Sequence, residues 1–148
     1  MTIFVDADAF PNVLKEILLR FVLKRSLPTR FIANKKIAIP DVPFISMEIA
    51  PQGADEADHL IAFTCKAGDL IITADIPLAD RIVSKGAIGL DPRGTIYTQE
   101  NIEGLLVMRN LMQELRDGGE ITGGPSAIGE KEKRAFADAL NALLQKLK

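Results

Sequence analysis

One cysteine, one histidine, one tyrosine and no tryptophan stand among the 148 residues, and these shortages remove several chemistries. Cys65 alone cannot form an internal disulfide. Its place in an apolar helical pattern marks it as buried filler rather than a nucleophile or ligand, which fits a reducing compartment. His59 alone leaves no material for a histidine metal cluster and little for a Ser/His/Asp triad. No apolar run reaches membrane-spanning length, and the N-terminus lacks a basic segment followed by an apolar stretch and a cleavage site. A soluble, cytoplasmic protein with no membrane partner is expected. Against 20 acidic residues stand 18 basic ones, so a net charge of -2 gives no global attraction to nucleic acid. Any polyanion must be held locally. Carboxylates are the reactive groups this chain has in quantity.

A hydrophobic content of 47% over this length suits one ordinary domain with a real core. Its opening is informative. Ile3, Phe4 and Val5 form an apolar run that reads as a buried strand, and Pro11 precedes a helical pattern. Asp6 and Asp8 therefore fall in a strand-to-helix turn, where open α/β sheets place their ligands. Asp8 has a structural alternative as a helix cap, although Pro11 would leave it only one of the two usual cap bonds. Asp6 has no comparable structural role.

Helical spacing of Val13, Leu14, Ile17, Leu18, Phe21 and Val22 predicts a helix over 12–25, and Pro28 bars its continuation. A strand over 30–33 completes a strand-helix-strand unit, so a parallel sheet is expected. Asn34, Lys35 and Lys36 read as a solvated loop, with Lys36 also a candidate phosphate contact. A strand over 44–49 is broken by Pro51, Gln52 and Gly53, and a helix from Ala54 is expected to stop at Gly68. The β-branched run 69–73 reads as a central parallel strand that leads to Asp75. A short helix over 77–85, a strand over 87–90, a turn at 91–94 and an extended pair at Ile96 and Tyr97 follow. Arg93 in that turn is either a phosphate contact or a plain turn residue.

From Thr98 to Asp117, a capping signal precedes the stripe Ile102, Leu105, Leu106, Met108, Leu111, Met112 and Leu115, whose methionines read as core filler. The domain then spans 1–117, a glycine-rich connector 118–129, and an amphipathic helix 130–148 that packs on the same domain or on a partner subunit. Its apolar side carries Phe136, Leu140, Leu143, Leu144 and Leu147.

Asp55 and Asp58, three apart, share a helix face, and either helix-end electrostatics or a cap would also account for Asp55. Length links them to Asp75. From Asp58 to Gly68 a helix descends about 15 Å, and the following strand climbs back about 17 Å. Asp58 and Asp75 should end level, alongside Asp6 and Asp8 if the two strands are neighbours. Carboxylates so gathered raise one another's pKa unless a cation compensates them. A hard divalent ion, Mg²⁺ or Mn²⁺, prefers such oxygens and commonly bridges them to substrate phosphate. Phosphoryl chemistry on a nucleotide or nucleic acid is the expected use.

The residues also carry a resemblance. Val5-Asp-Ala-Asp-Ala9 with Pro11, Ala33-Asn34, Gly53-Ala-Asp55 with Asp58, and Gly68-Asp-Leu-Ile-Ile-Thr-Ala-Asp-Ile-Pro-Leu-Ala79 resemble the YaiI/YqxD family (UPF0178, DUF188). So do Lys85-Gly-Ala87, Pro92-Arg-Gly94, Tyr97-Thr98, Glu100-Asn-Ile102 and Gly123-Gly-Pro125. Members of that family look like relatives of PIN domains. The wider likeness rests on Asp6, on Asp58 with Ile61 and Ala62, and on Thr73-Ala-Asp75. It implies a single PIN-like three-layer α/β domain, with a mostly parallel sheet between helices and a C-terminal helix. The activity it implies is metal-dependent cleavage of RNA. Phe10 stands where family members often have cysteine. The acid that PIN nucleases carry on a helix before the Asp58 position has no clear counterpart, so Asp8 or Asp55 would substitute.

The leading expectation is a Mg²⁺- or Mn²⁺-dependent nuclease in which Asp6, Asp58 and Asp75 are catalytic metal ligands, Asp8 and Asp55 assist, and Thr73 orients a ligand. Arg93 and Lys36 are the candidate phosphate contacts, and a homodimer is left open. One alternative is a metal-dependent RNA- or nucleotide-binding module without turnover. Another takes Asp6 and Asp8 as nucleophile and acid of a haloacid-dehalogenase-type phosphatase. For that reading Phe10 replaces an expected threonine or valine, and the following lysine and paired acids are not evident.

Overall fold

A computed structural model describes residues 1–51, 55–119 and 127–146, the Ala9 side chain excepted. Strand β1 (Ile3–Asp6) passes through a short 3-10 turn (Ala7–Ala9) into helix α1 (Asn12–Arg25). Then come β2 (Thr29–Ala33), β3 (Ile45–Ile49), α2 (Glu56–Thr64), β4 (Leu70–Ile72), α3 (Ile76–Ser84), β5 (Ile88–Leu90), β6 (Ile96–Tyr97), α4 (Ile102–Asp117) and α5 (Glu130–Lys146). The six strands form one sheet in the order β3-β2-β1-β4-β5-β6, parallel except for β6. It is a three-layer α/β domain.

The strands are apolar on both faces because helices cover both, as a parallel sheet requires. On one side Leu14, Leu18 and Val22 of α1 and Phe136, Leu140, Leu143 and Leu144 of α5 pack on Ile3, Val5, Phe31, Leu70 and Ile72. On the other, Ala57, Ile61 and Ala62 of α2 and Leu78, Ala79, Ile82 and Val83 of α3 cover Phe4, Ile32 and Ile71. Each such leucine, valine or isoleucine, fully buried, contributes about 1.5–3 kcal/mol relative to exposure. The C-terminal helix α5 thus docks on the body of its own domain.

Chain order reverses between β1 and β4, the two central strands, which pair with Ile3 opposite Leu70 and Val5 opposite Ile72. At such a switch point the two connections leave in opposite directions and open a crevice at the carboxyl ends of the strands. Asp6 closes β1 there, and Thr73 to Asp75 follow β4.

Three expectations are corrected. Helix α2 stops at Thr64 and not at Gly68, because Cys65 turns to extended geometry and the Asp69 carboxylate accepts the Lys66 N–H at 2.8 Å. Gly68, at φ +88°, serves that turn instead. Asp69 is no strand residue: it is buried, and its other oxygen accepts the Thr2 N–H at 2.9 Å, pinning the start of β1 to the start of β4. The stripe of α4 is not core. Only Ile102 of this helix is buried, while Val107, Met108 and Leu111 stand about half exposed or more, because α4 lies outermost and packs chiefly against α3. Most of the 118–129 connector, Leu147 and the 52–54 break lie outside the described residues.

Candidate acidic site at the strand switch point

β1 and β4 end side by side, and one hydroxyl joins them. Thr73, buried at the end of β4, donates from Oγ1 to Asp6 Oδ2 at 2.9 Å and accepts the Asp75 N–H at 3.0 Å. Tyr97 on β6 donates its hydroxyl toward the Thr73 carbonyl and Asp91 Oδ1, each at 3.2 Å. Burial and the Asp91 charge hold that phenol well above its ordinary pKa, so it remains a proton donor. Gly89 makes room for the ring: a Cβ there would lie 2.7 Å from Tyr97 Cδ2.

Asp75 caps α3, accepting the Leu78 N–H through Oδ1 at 3.0 Å, with Pro77 in the first turn. Asp8, on the 3-10 turn, does not cap α1, whose N-cap is Pro11. Both its oxygens instead meet the Asn34 N–H at 3.0 Å, tying the β1 turn to the end of β2. Asp55 heads α2 at φ 67° without making a cap bond. For a non-glycine residue that left-handed conformation costs about 1–2 kcal/mol, and strain of this kind concentrates at functional sites.

Asp6, Asp8, Asp55, Asp58 and Asp75, with Asn34, line one open hollow of about 430 Å³. Five acids from three chain segments converge there, as the length argument expected, although α2 is shorter than that argument assumed. Their electrostatics reflect the crowding. Burial raises the Asp6 pKa, the Thr73 hydrogen bond lowers it, and the Asp75 and Asp8 charges raise it again. Asp58 is pushed up to about 8, by burial first, then by its hydrogen bond to Asp75 and the charges of Asp75, Asp6 and Asp55. At neutral pH Asp58 therefore favours its protonated form, which donates a hydrogen bond to Asp75.

Oxygen donors, surplus negative charge and raised pKa values are what a hard divalent cation relieves. Asn34 adds to the fit, since its buried side-chain Oδ1 accepts no hydrogen bond among the described groups. Among the described residues, however, no three acid, histidine or cysteine groups already form a ready metal shell. Loading a cation would need the Asp58 proton to leave and the carboxylates to turn inward.

Neither candidate phosphate contact lines the hollow. Arg93 reaches Glu132 of α5 at 3.7 Å, and Lys36 stands exposed on the β2–β3 loop. Sequence reasoning missed Asn34 and Arg109, both of which line it. For Asn34 a signal existed: β1 and β2 are parallel with Asp6 opposite Ile32, so position 34 emerges beside the acids. Arg109 lies on α4, whose placement no local pattern specifies. A similar hollow of about 480 Å³ between α1 and α5 mixes Glu16 and Glu130 with Arg20, Lys133 and Arg134, so its charges largely offset one another.

Comparison with known proteins adds a family. The model described as "Uncharacterized BCR, YaiI/YqxD family" (DUF188) matches residues 4–146. The chain belongs to the YaiI/YqxD family. A UPF0178 protein of a Sulfurovum species is 56% identical over 146 residues, covering 99% of both chains. A UPF0178 protein of a Nitratiruptor species is 52% identical over 147 residues, covering 99% of this chain and 97% of its own. That of Maridesulfovibrio salexigens is 51% identical over 144 residues, covering 97% and 95%. The YaiI/YqxD match thus includes every acid of the hollow. No solved structure matches this chain. Among the described residues, no helix is long and apolar enough to cross a membrane.

Proposed function

We propose that this YaiI/YqxD protein is a PIN-like, Mg²⁺- or Mn²⁺-dependent phosphodiesterase acting on RNA. The observation that carries this reading is the hollow itself: five aspartates converge at the strand switch point, where burial first, and then the hydrogen bond to Asp75 and the neighbouring carboxylates, push the Asp58 pKa up to about 8. Asp6, Asp58 and Asp75 would hold the cation directly, with Asp8 and Asp55 assisting. When bound, the cation supplies Lewis acidity toward a phosphoryl oxygen and an acidified water. Thr73 keeps Asp6 oriented, and Asp58 releases its proton to complete the charge of the site. RNA is chosen over other phosphodiesters on the PIN-like resemblance of Asp6, Asp58 and Thr73-Ala-Asp75.

Cleavage of labelled single-stranded RNA should depend on added Mn²⁺ and fall at least a hundredfold in Asp75→Asn. Asparagine caps helices as well as aspartate does, so that variant keeps α3 intact. Equal rates in variant and wild type would remove the nuclease reading. A second reading, a metal-dependent RNA-binding module without turnover, is favoured by the engagement of both Asp8 oxygens with the Asn34 N–H, which takes one assisting carboxylate out of the site. Mn²⁺-dependent binding without cleavage across a broad RNA panel would select it.

A further inference from the structure

Beside the acidic hollow lies a smaller one of about 210 Å³, and the two share Asp55, Asp58, Asp75 and Arg109. What the smaller one adds is basic: His59 from α2 and Arg81 from α3, facing Arg109 from α4. Arg81 Nη1 lies 3.1 Å from His59 Nδ1. A guanidinium has only hydrogens to offer, so His59 Nδ1 accepts and the imidazole proton sits on Nε2. His59 therefore keeps its Nε2–H, the one donor of its ring, for another acceptor.

Arg109 donates sideways to Asn110 Oδ1 at 3.1 Å. Among the described residues the ion pairs are Arg30 with Glu48, Arg93 with Glu132 and Lys133 with Glu130. Arg81 and Arg109 join none, although three carboxylates line the same small hollow. Cations placed only to neutralise those carboxylates would sit within ion-pair distance. Held apart, they leave guanidinium donors, whose planar fork matches phosphate oxygens.

We propose that His59, Arg81 and Arg109 form a phosphate subsite adjoining the aspartates. It receives a second phosphate of the substrate, next to the one to be cleaved. This assignment deepens the phosphodiesterase reading and rests on it for the nature of the substrate. The chemical class it selects is an oligonucleotide with a phosphate neighbouring the scissile linkage, in preference to a lone phosphodiester. Acids then manage the scissile group through a cation, and the arginines manage its neighbour directly, so the two charge sets do not cancel.

His59 is the sole histidine, so its ring gives one NMR reporter. At fixed pH and with a chelator present, inorganic pyrophosphate should shift the His59 ring resonances saturably, and the double variant Arg81→Gln/Arg109→Gln should lose the shift. In a second arm, also without metal, a 5′-phosphorylated dinucleotide should bind about tenfold more tightly than its 5′-hydroxyl form, with the preference gone in the variant. No saturable shift, or an unchanged one in the variant, overturns the subsite. Pyrophosphate binding without dinucleotide preference overturns its part in substrate choice. Because neither arm needs turnover, failure of Mn²⁺-dependent cleavage is a separate result.

Discussion

Thr73 donates its hydroxyl to Asp6 Oδ2 at 2.9 Å, so the ends of the two central strands are joined by a side chain as well as by the sheet. Thr73 Oγ1 in turn accepts the Asp75 N–H. Thr73→Val keeps the shape and deletes both bonds. With the hydroxyl buried, a loss of about 1–3 kcal/mol is expected, read by urea denaturation, and Thr73→Ser should restore most of it. The valine variant should also raise the Asp6 pKa further, because the interaction that lowers it is gone.

Asp58 predicts an inverted pH response. Its pKa rises from 3.8 to about 8 on folding, so the folded state holds a proton that the unfolded state has released between those values. Stability from this group is therefore full below about pH 4, declines as pH rises, and is gone above about 8. Without metal, wild type should lose melting temperature relative to Asp58→Asn across that window. A constant difference between the two from pH 4 to 9 would contradict the raised pKa. With Mn²⁺ the order should reverse at pH 8, since the cation needs the carboxylate and stabilises the state that binds it.

Lys85 secures the far end of α2. Its ammonium donates to the carbonyls of Ala62 at 2.7 Å, Phe63 at 3.3 Å and Cys65, where the helix dipole favours a cation. Lys85→Met should cost about 1–2 kcal/mol in thermal or urea unfolding. Lys85→Arg should recover part of it.

Gly89 faces Tyr97 across the antiparallel pair. Gly89→Ala places a methyl group 2.7 Å from the ring, so the tyrosine must shift. Overpacking of this kind costs about 1–3 kcal/mol. Tyr97→Leu in the same background should recover part of the loss, measured as a double-mutant cycle.

Much of this is legible in the sequence because two periodicities dominate the chain. The 3.6-residue repeat of Leu14, Leu18 and Val22 delimits α1, and the β-branched run before Asp75 marks β4 as central. The levelling of Asp58 with Asp75 follows from lengths and tolerates an α2 shorter than expected, and Asp6 joins them because β1 and β4 are neighbours. What local pattern does not carry is partnership. Gly68 looks like a helix stop until Asp69 is seen capturing the Lys66 amide. The α4 stripe looks buried because periodicity reports an apolar face and says nothing of what lies against it. Asn34 looks like wet loop for the same reason, its neighbours Asp6 and Asp8 being distant in the chain and set beside it only by the register of β1 and β2.

The amide of Thr2 is bound to Asp69 at the amino ends of the strands, whereas Asp6 and Asp75 stand at their carboxyl ends. A tether attached at residue 1 therefore leaves from the face opposite the hollow. Protein immobilised through that end would present its acids outward to ligand, which makes surface-captured metal and RNA titrations practicable without the anchor intruding.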